Sequence, residues 1–87
     1  MNSTNQYLKP LSLKINDEKH LELGGCDLVK LAEKYGTPLY VLDEQTVRGI
    51  CKDYKDAFKS YSRVKMMYAS KALCSMATSA LIASEGF

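Results

Sequence analysis

Two short apolar runs, each followed by a segment with helical periodicity, limit most strongly what this chain can fold into. The runs cover residues 39–42 and 64–70. After the first, apolar residues recur at steps of three and four, as on one face of an amphipathic helix: Val47, Ile50, Cys51, Tyr54, Phe58 and Tyr61. After the second, residues 73–85 are apolar on nearly every side. The order strand, helix, strand, helix predicts a parallel α/β fold.

The first third of the chain has a different, strand-like pattern. Apolar residues alternate with polar ones on both sides of the polar segment 16–18, which predicts a hairpin between residues 7 and 23. A pair of glycines then breaks the pattern, and Asp27 is placed to cap a helix that Gly36 ends. Asp43 is a second candidate cap, at the start of the longer helix. A hairpin and a short helix are therefore expected to precede the α/β part.

The composition is that of a folded domain without a strongly charged segment. Of the 87 residues, 46% are hydrophobic and 25% are charged. The 12 basic and 10 acidic residues are scattered and leave a net charge of +2, so nucleic acid and anionic membranes are not expected as partners. No run approaches the roughly 18–20 apolar residues of a membrane span, and we expect a cytoplasmic protein.

The cysteines and the single histidine are too dispersed for a disulfide framework or a zinc site. Three cysteines stand far apart, without a Cys-x-x-Cys pair: Cys26, Cys51 and Cys74. Zinc sites need more ligands at closer spacing, and His20 is the only histidine. We therefore expect no metal site, and reduced, mostly buried thiols as in other cytoplasmic proteins.

Lys71 is the residue whose position most suggests chemistry. It directly follows the apolar run 64–70 and continues the face that carries Ala69. Ligands bind at the carboxyl ends of parallel strands, where a lysine on the inward face would be partly desolvated. Desolvation favours the neutral amine, which can form a Schiff base with an aldehyde. The small neighbours Ser70 and Ala72 would leave room for a flat ring. A lysine at a strand end is also commonly solvated or salt-bridged, and these residues alone leave both interpretations open.

Two segments of the chain resemble a known enzyme family. One is similar to the pyridoxal-phosphate attachment motif of the ornithine/diaminopimelate/arginine decarboxylase family, a fold-type III group: Tyr68-Ala69-Ser70-Lys71-Ala72-Leu73. The other, residues 25–44, has Gly-Thr-Pro-Leu-Tyr-Val at 36–41 and resembles the opening of diaminopimelate decarboxylases in particular. The interval between the two segments, residues 45–67, is close to the spacing in the family. The resemblance thus covers roughly residues 25–86, most of the chain.

The resemblance implies a fold and indicates which part of the enzyme this chain represents. Fold-type III enzymes combine a TIM-like (β/α)8 barrel with a β-rich domain. Residues 1–42 would contribute to the β-rich domain, and residues 43–87 would start the barrel and stop after its first βα unit. We expect an N-terminal fragment, because two strands cannot build a parallel sheet that is covered on both faces. The family has two apolar residues where this chain has Thr78 and Ser79, a difference that we assign to packing on the following helix.

The resemblance also implies the chemistry. Lys71 would be the catalytic residue that holds pyridoxal 5'-phosphate as a Schiff base, with Ala69 beside the cofactor. The substrate would be meso-diaminopimelate, which a cytoplasmic homodimer would convert to L-lysine and carbon dioxide. The phosphate, ring-nitrogen and substrate ligands of the family would lie beyond Phe87, so the 87-residue chain alone is expected to be inactive. Alternatives are another fold-type III enzyme (an ornithine, arginine or carboxynorspermidine decarboxylase, or a racemase) and a non-catalytic truncated product.

Overall fold

The computed structural model describes residues 9–87, which form two compact units. The first unit ends at Thr46, and the second comprises Val47–Phe87. The start of the predicted hairpin, residues 7 and 8, lies outside the described residues.

A small antiparallel sheet organises the first unit. Its strands follow one another along the chain in the order β1 (Lys14–Ile15), β2 (Leu21–Leu23) and β3 (Cys26–Asp27). Glu22 on the central strand pairs with Lys14 on one side and with Asp27 on the other. The predicted hairpin is therefore confirmed for the described residues, with a third strand that the sequence pattern did not indicate.

Two turns built from local residues set the register of this sheet. In the turn between β1 and β2, the side-chain oxygen of Asn16 accepts the amides of Glu18 and His20, both at 3.0 Å. Asparagine is frequent in turns because its side chain bonds the backbone two or more residues further on. Between β2 and β3, Gly24 and Gly25 have φ angles of 58° and 81°, which glycine adopts without steric cost. The predicted break at this glycine pair is confirmed.

Helix α1 (Leu28–Tyr35) begins and ends where the sequence predicts. The Asp27 carboxylate accepts the amides of Val29 and Lys30, at 2.9 and 3.2 Å, and so satisfies donors that the first turn leaves without partners. At the other end, Gly36 has a φ of 81° and donates its amide to the carbonyl of Ala32 at 2.8 Å.

The second unit contains most of α2 (Glu44–Ala57) and all of α3 (Met76–Ser84). Only Cys51 is buried on α2, and the predicted stripe extends beyond the helix, since Phe58 and Tyr61 lie in the turns that follow it. Helix α3 is capped by Ser75, whose hydroxyl accepts the amide of Thr78 at 3.1 Å. Thr78 and Ser79 lie on α3, the following helix, as expected, and Thr78 is buried.

Salt bridges join the two helices of the second unit. Glu85, just after α3, accepts hydrogen bonds from Arg48 at 2.6 Å and from Lys55 at 3.2 Å, both on α2. Two cations around one carboxylate lower the pKa of Glu85, because their hydrogen bonds favour its charged form. The C-terminal end of α3 is thereby held to α2.

Neither apolar run forms the strand that the sequence predicts, and that part of the prediction is wrong for the described residues. Residues 39–42 and 64–69 lie outside helices and strands, and most of their side chains are exposed. A strand needs a neighbour for its amide and carbonyl groups, and within residues 9–87 neither run has one. The described chain is thus a small α/β piece with an antiparallel sheet. The prediction of mostly buried thiols is also wrong, since Cys26 and Cys74 are exposed.

Candidate functional site

Lys71 occupies the centre of a single turn of 3-10 helix, Ser70–Ala72. The amide of Ala72 donates to the carbonyl of Ala69 at 3.1 Å and closes this turn. A second hydrogen bond spans the turn: the hydroxyl of Tyr68 donates to the carbonyl of Leu73 at 2.8 Å. Two hydrogen bonds therefore hold the backbone on both sides of the lysine.

The Lys71 side chain is exposed, so the predicted desolvation is absent in the described residues. Within residues 9–87 no carboxylate pairs with its amine. Ala69, the second predicted cofactor contact, is also exposed and stands two residues before the lysine. An unpaired primary amine beside small side chains fits covalent attachment of an aldehyde cofactor. The roles of Lys71 and Ala69 remain predictions.

A second polar cluster surrounds the start of α1. Ligand-type atoms of Glu18, His20 and Asp27 lie within 4.8 Å of one another. These groups already have protein partners: Asp27 Oδ2 lies 2.9 Å from His20 Nδ1 and 2.9 Å from Asn16 Nδ2, and Glu18 pairs with Lys30 at 2.9 Å. The other oxygen of Asp27 caps the helix. We therefore interpret the cluster as a network that fixes the helix cap.

The Asp27 network makes a prediction about acid stability. Burial alone would raise the pKa of Asp27, but hydrogen bonds from Asn16, His20 and the Lys30 amide outweigh it and hold this pKa well below its usual range. Because the pKa of Asp27 is lower in the folded protein than in the unfolded chain, Asp27 contributes stability above about pH 4 that is lost on acidification. Asp27→Asn is expected to flatten the rise of the unfolding free energy between pH 2 and pH 5, measured by urea unfolding.

The matched control for this prediction is Asp17→Asn. Asp17 lies in the β1–β2 turn and is exposed, and its side chain makes no hydrogen bond or ion pair within the described residues. This variant should keep the wild-type pH profile. An unchanged profile in Asp27→Asn would contradict the role assigned to the network.

Asp43 is the centre of a third cluster and is the only acidic residue among residues 9–87 that is buried as a whole, with 8% of its surface exposed. Its Oδ2 accepts the Ser12 hydroxyl at 2.7 Å and the Thr46 hydroxyl, and the Gln45 amide also bonds the carboxylate. Burial would raise the pKa of Asp43, but these hydrogen bonds outweigh it and lower the pKa. The bonds to Gln45 and Thr46 agree with the predicted cap of α2.

Sequence reasoning missed Ser12, which extends the Asp43 cluster to the hairpin. The Ser12 hydroxyl donates to Asp43 and accepts the amide of Gly24 at 2.7 Å, while the amide of Leu11 donates to the hydroxyl of Thr46 at 2.7 Å. Ser12 and Asp43 stand 31 residues apart, and no sequence spacing indicates such a pair. The cluster joins the hairpin to the start of α2 within the first unit.

The motif around Lys71 and the segment that leads to Asp43 are the two parts of the chain whose sequence resembles amino-acid decarboxylases. Comparison with curated proteins finds similar sequences: over 86 residues the chain is 42% identical to the diaminopimelate decarboxylase of Synechocystis sp., a match of 97% of this chain and 18% of that protein. The Bacillus subtilis diaminopimelate decarboxylase is 49% identical over 72 residues, 82% of this chain and 16% of that protein. The Methanothermobacter thermautotrophicus enzyme of the same name is 43% identical over 75 residues, 85% of this chain and 18% of that protein.

These matches confirm the predicted resemblance to diaminopimelate decarboxylases. The chain spans less than a fifth of the length of these curated relatives, as expected for a fragment. No family model and no solved structure matches it. None of the helices in residues 9–87 has the length and apolar character needed to cross a membrane.

Proposed function

We propose that this chain is the lysine-bearing segment of a pyridoxal-phosphate-dependent diaminopimelate decarboxylase, which converts meso-diaminopimelate to L-lysine and carbon dioxide. The observation that carries the proposal is 42–49% identity to three proteins of that name. The match to the Synechocystis protein covers 97% of the chain and therefore includes the turn at Lys71. The proposal extends to a TIM-like barrel that begins near residue 43, a β-rich domain that includes residues 1–42, and a cytoplasmic homodimer.

Lys71 and its neighbours would hold the cofactor. When bound, pyridoxal phosphate supplies an electron sink for the electron pair left behind as carbon dioxide departs. The amine of Lys71 would attach the cofactor between turnovers and give way to the amino group of the substrate. The methyl side chain of Ala69 would let a flat ring approach the backbone. Exposure of Lys71 and the absence of an ion pair within residues 9–87 leave its amine accessible for this attachment.

The shared name of the three relatives favours diaminopimelate over other amino-acid substrates. Ornithine, arginine and carboxynorspermidine decarboxylases and racemases remain the alternatives within fold-type III. They are distinguished by the substrate that loses carbon dioxide, or by racemisation without its loss. A non-catalytic product is the alternative of a different class, and it would show neither release of carbon dioxide nor racemisation.

Substrate-dependent release of carbon dioxide tests the proposal. The whole protein, supplied with pyridoxal phosphate, is expected to release carbon dioxide from meso-diaminopimelate and not from ornithine or arginine at equal concentration. The 87-residue chain is the matched control and should release none. Release from ornithine or arginine alone would reassign the substrate. No release from any of them or from carboxynorspermidine, together with no racemisation of an amino acid, would favour the non-catalytic interpretation, and release by the short chain would contradict its expected inactivity.

A further inference from the structure

The hydroxyl of Tyr68 makes a hydrogen bond that no sequence pattern predicts and that spans the proposed attachment lysine. It donates to the carbonyl of Leu73 at 2.8 Å, and Lys71 lies between the two bonded residues. Tyr68 is half-buried, whereas Lys71 and Leu73 are exposed. The hydroxyl of this half-buried residue thus reaches the end of the loop that carries the lysine.

The turn at Lys71 needs support from outside its own three residues. Helices of the 3-10 type have poor hydrogen-bond geometry and are stable only in short pieces. Here a single internal bond, from the Ala72 amide to the Ala69 carbonyl, closes the turn. Leu73 then returns to extended backbone, with φ −162° and ψ 113°, and its carbonyl accepts the Tyr68 hydroxyl. This second bond fixes the point at which the chain leaves the turn.

We propose that Tyr68 is a positioning residue, whose hydroxyl holds the backbone turn that presents the Lys71 amine to the aldehyde of the cofactor. The inference rests on the proposed function. The Tyr68 hydroxyl bonds the Leu73 carbonyl, and it acts through that carbonyl and the intervening backbone. Loss of its hydroxyl releases the turn, so that Lys71 spends less time in the orientation that attacks the aldehyde.

Tyr68→Phe in the whole protein tests this inference, because it removes one hydroxyl and keeps the ring. Two quantities are measured: amide hydrogen exchange over residues 69–74, and the fraction of Lys71 that borohydride traps as a pyridoxyl adduct at increasing pyridoxal-phosphate concentration. One neutral hydrogen bond corresponds to about a three- to tenfold change in an equilibrium constant. We expect faster exchange in this segment and a half-saturating cofactor concentration that is higher by about that factor.

Tyr54→Phe is the matched control, since the exposed Tyr54 lies in the same unit and its hydroxyl makes no described hydrogen bond. It should behave as wild type, and exchange outside residues 68–74 should be unchanged in both variants. An unchanged adduct titration in Tyr68→Phe, or unchanged exchange at residues 69–74, overturns the positioning role alone. A wild-type protein without an adduct on Lys71 instead overturns the proposed function and this inference with it.

Discussion

Lys71→Ala in the whole protein is expected to eliminate the borohydride-trapped pyridoxyl adduct and to lower the rate of carbon dioxide release by more than about 10³-fold. The proposed attachment requires a nucleophilic amine, and alanine has none. A side chain that transfers protons alone contributes roughly 10² to 10⁴ in rate, so the loss of the attachment group should cost at least as much. Peptide mapping after reduction and the carbon dioxide assay measure the two effects.

Two controls separate the role of the amine from those of charge and size. Lys71→Arg keeps a long cationic side chain, but its guanidinium is always protonated and cannot supply the free amine, so it should fail as Lys71→Ala does. Lys65→Ala removes another exposed lysine of the same unit, which makes no ion pair within the described residues, and should retain both adduct and activity. An adduct that persists in Lys71→Ala would place the attachment elsewhere and disprove the assignment.

The features that the sequence predicted correctly are those set by neighbouring residues. Asp27 caps α1 through amides two and three residues further on, and Gly36 ends the same helix with the positive φ that glycine tolerates. The turn at Asn16 is equally local. Such interactions need no knowledge of the remaining chain, so composition and spacing are enough to locate them.

The features that the sequence did not predict depend on distant partners. The apolar runs at 39–42 and 64–70 have the composition of buried strands, but strand formation depends on a neighbouring strand, which the described residues do not provide. Lys71 could be singled out by its motif, whereas its exposure follows from the absence of covering elements within residues 9–87. The bond between Tyr68 and Leu73 depends on the path of the backbone through the turn, which periodicity does not specify.

Replacing Asp43 is the single substitution from which we expect the largest loss of stability. Its buried carboxylate accepts hydrogen bonds from the hydroxyls of Ser12 and Thr46 and from backbone amides. Asp43→Ala would leave these donors without their acceptor, at a cost of about 3 kcal/mol. The backbone amides of Ser12 and Gly24 belong to the same network, and their hydrogen exchange should become faster by about 10²-fold if they exchange by local opening.

The pH dependence of this effect distinguishes a charged acceptor from simple packing. The pKa of Asp43 is lower in the folded protein than in the unfolded chain, so its contribution is complete above about pH 5 and declines on acidification. The difference in exchange between wild type and Asp43→Ala should therefore be constant near neutrality and shrink below about pH 4. Asp17→Ala, which removes an exposed carboxylate in the same unit, should show neither effect. A difference that persists undiminished at pH 2 would mean that the network depends on the shape of the side chain and not on its charge.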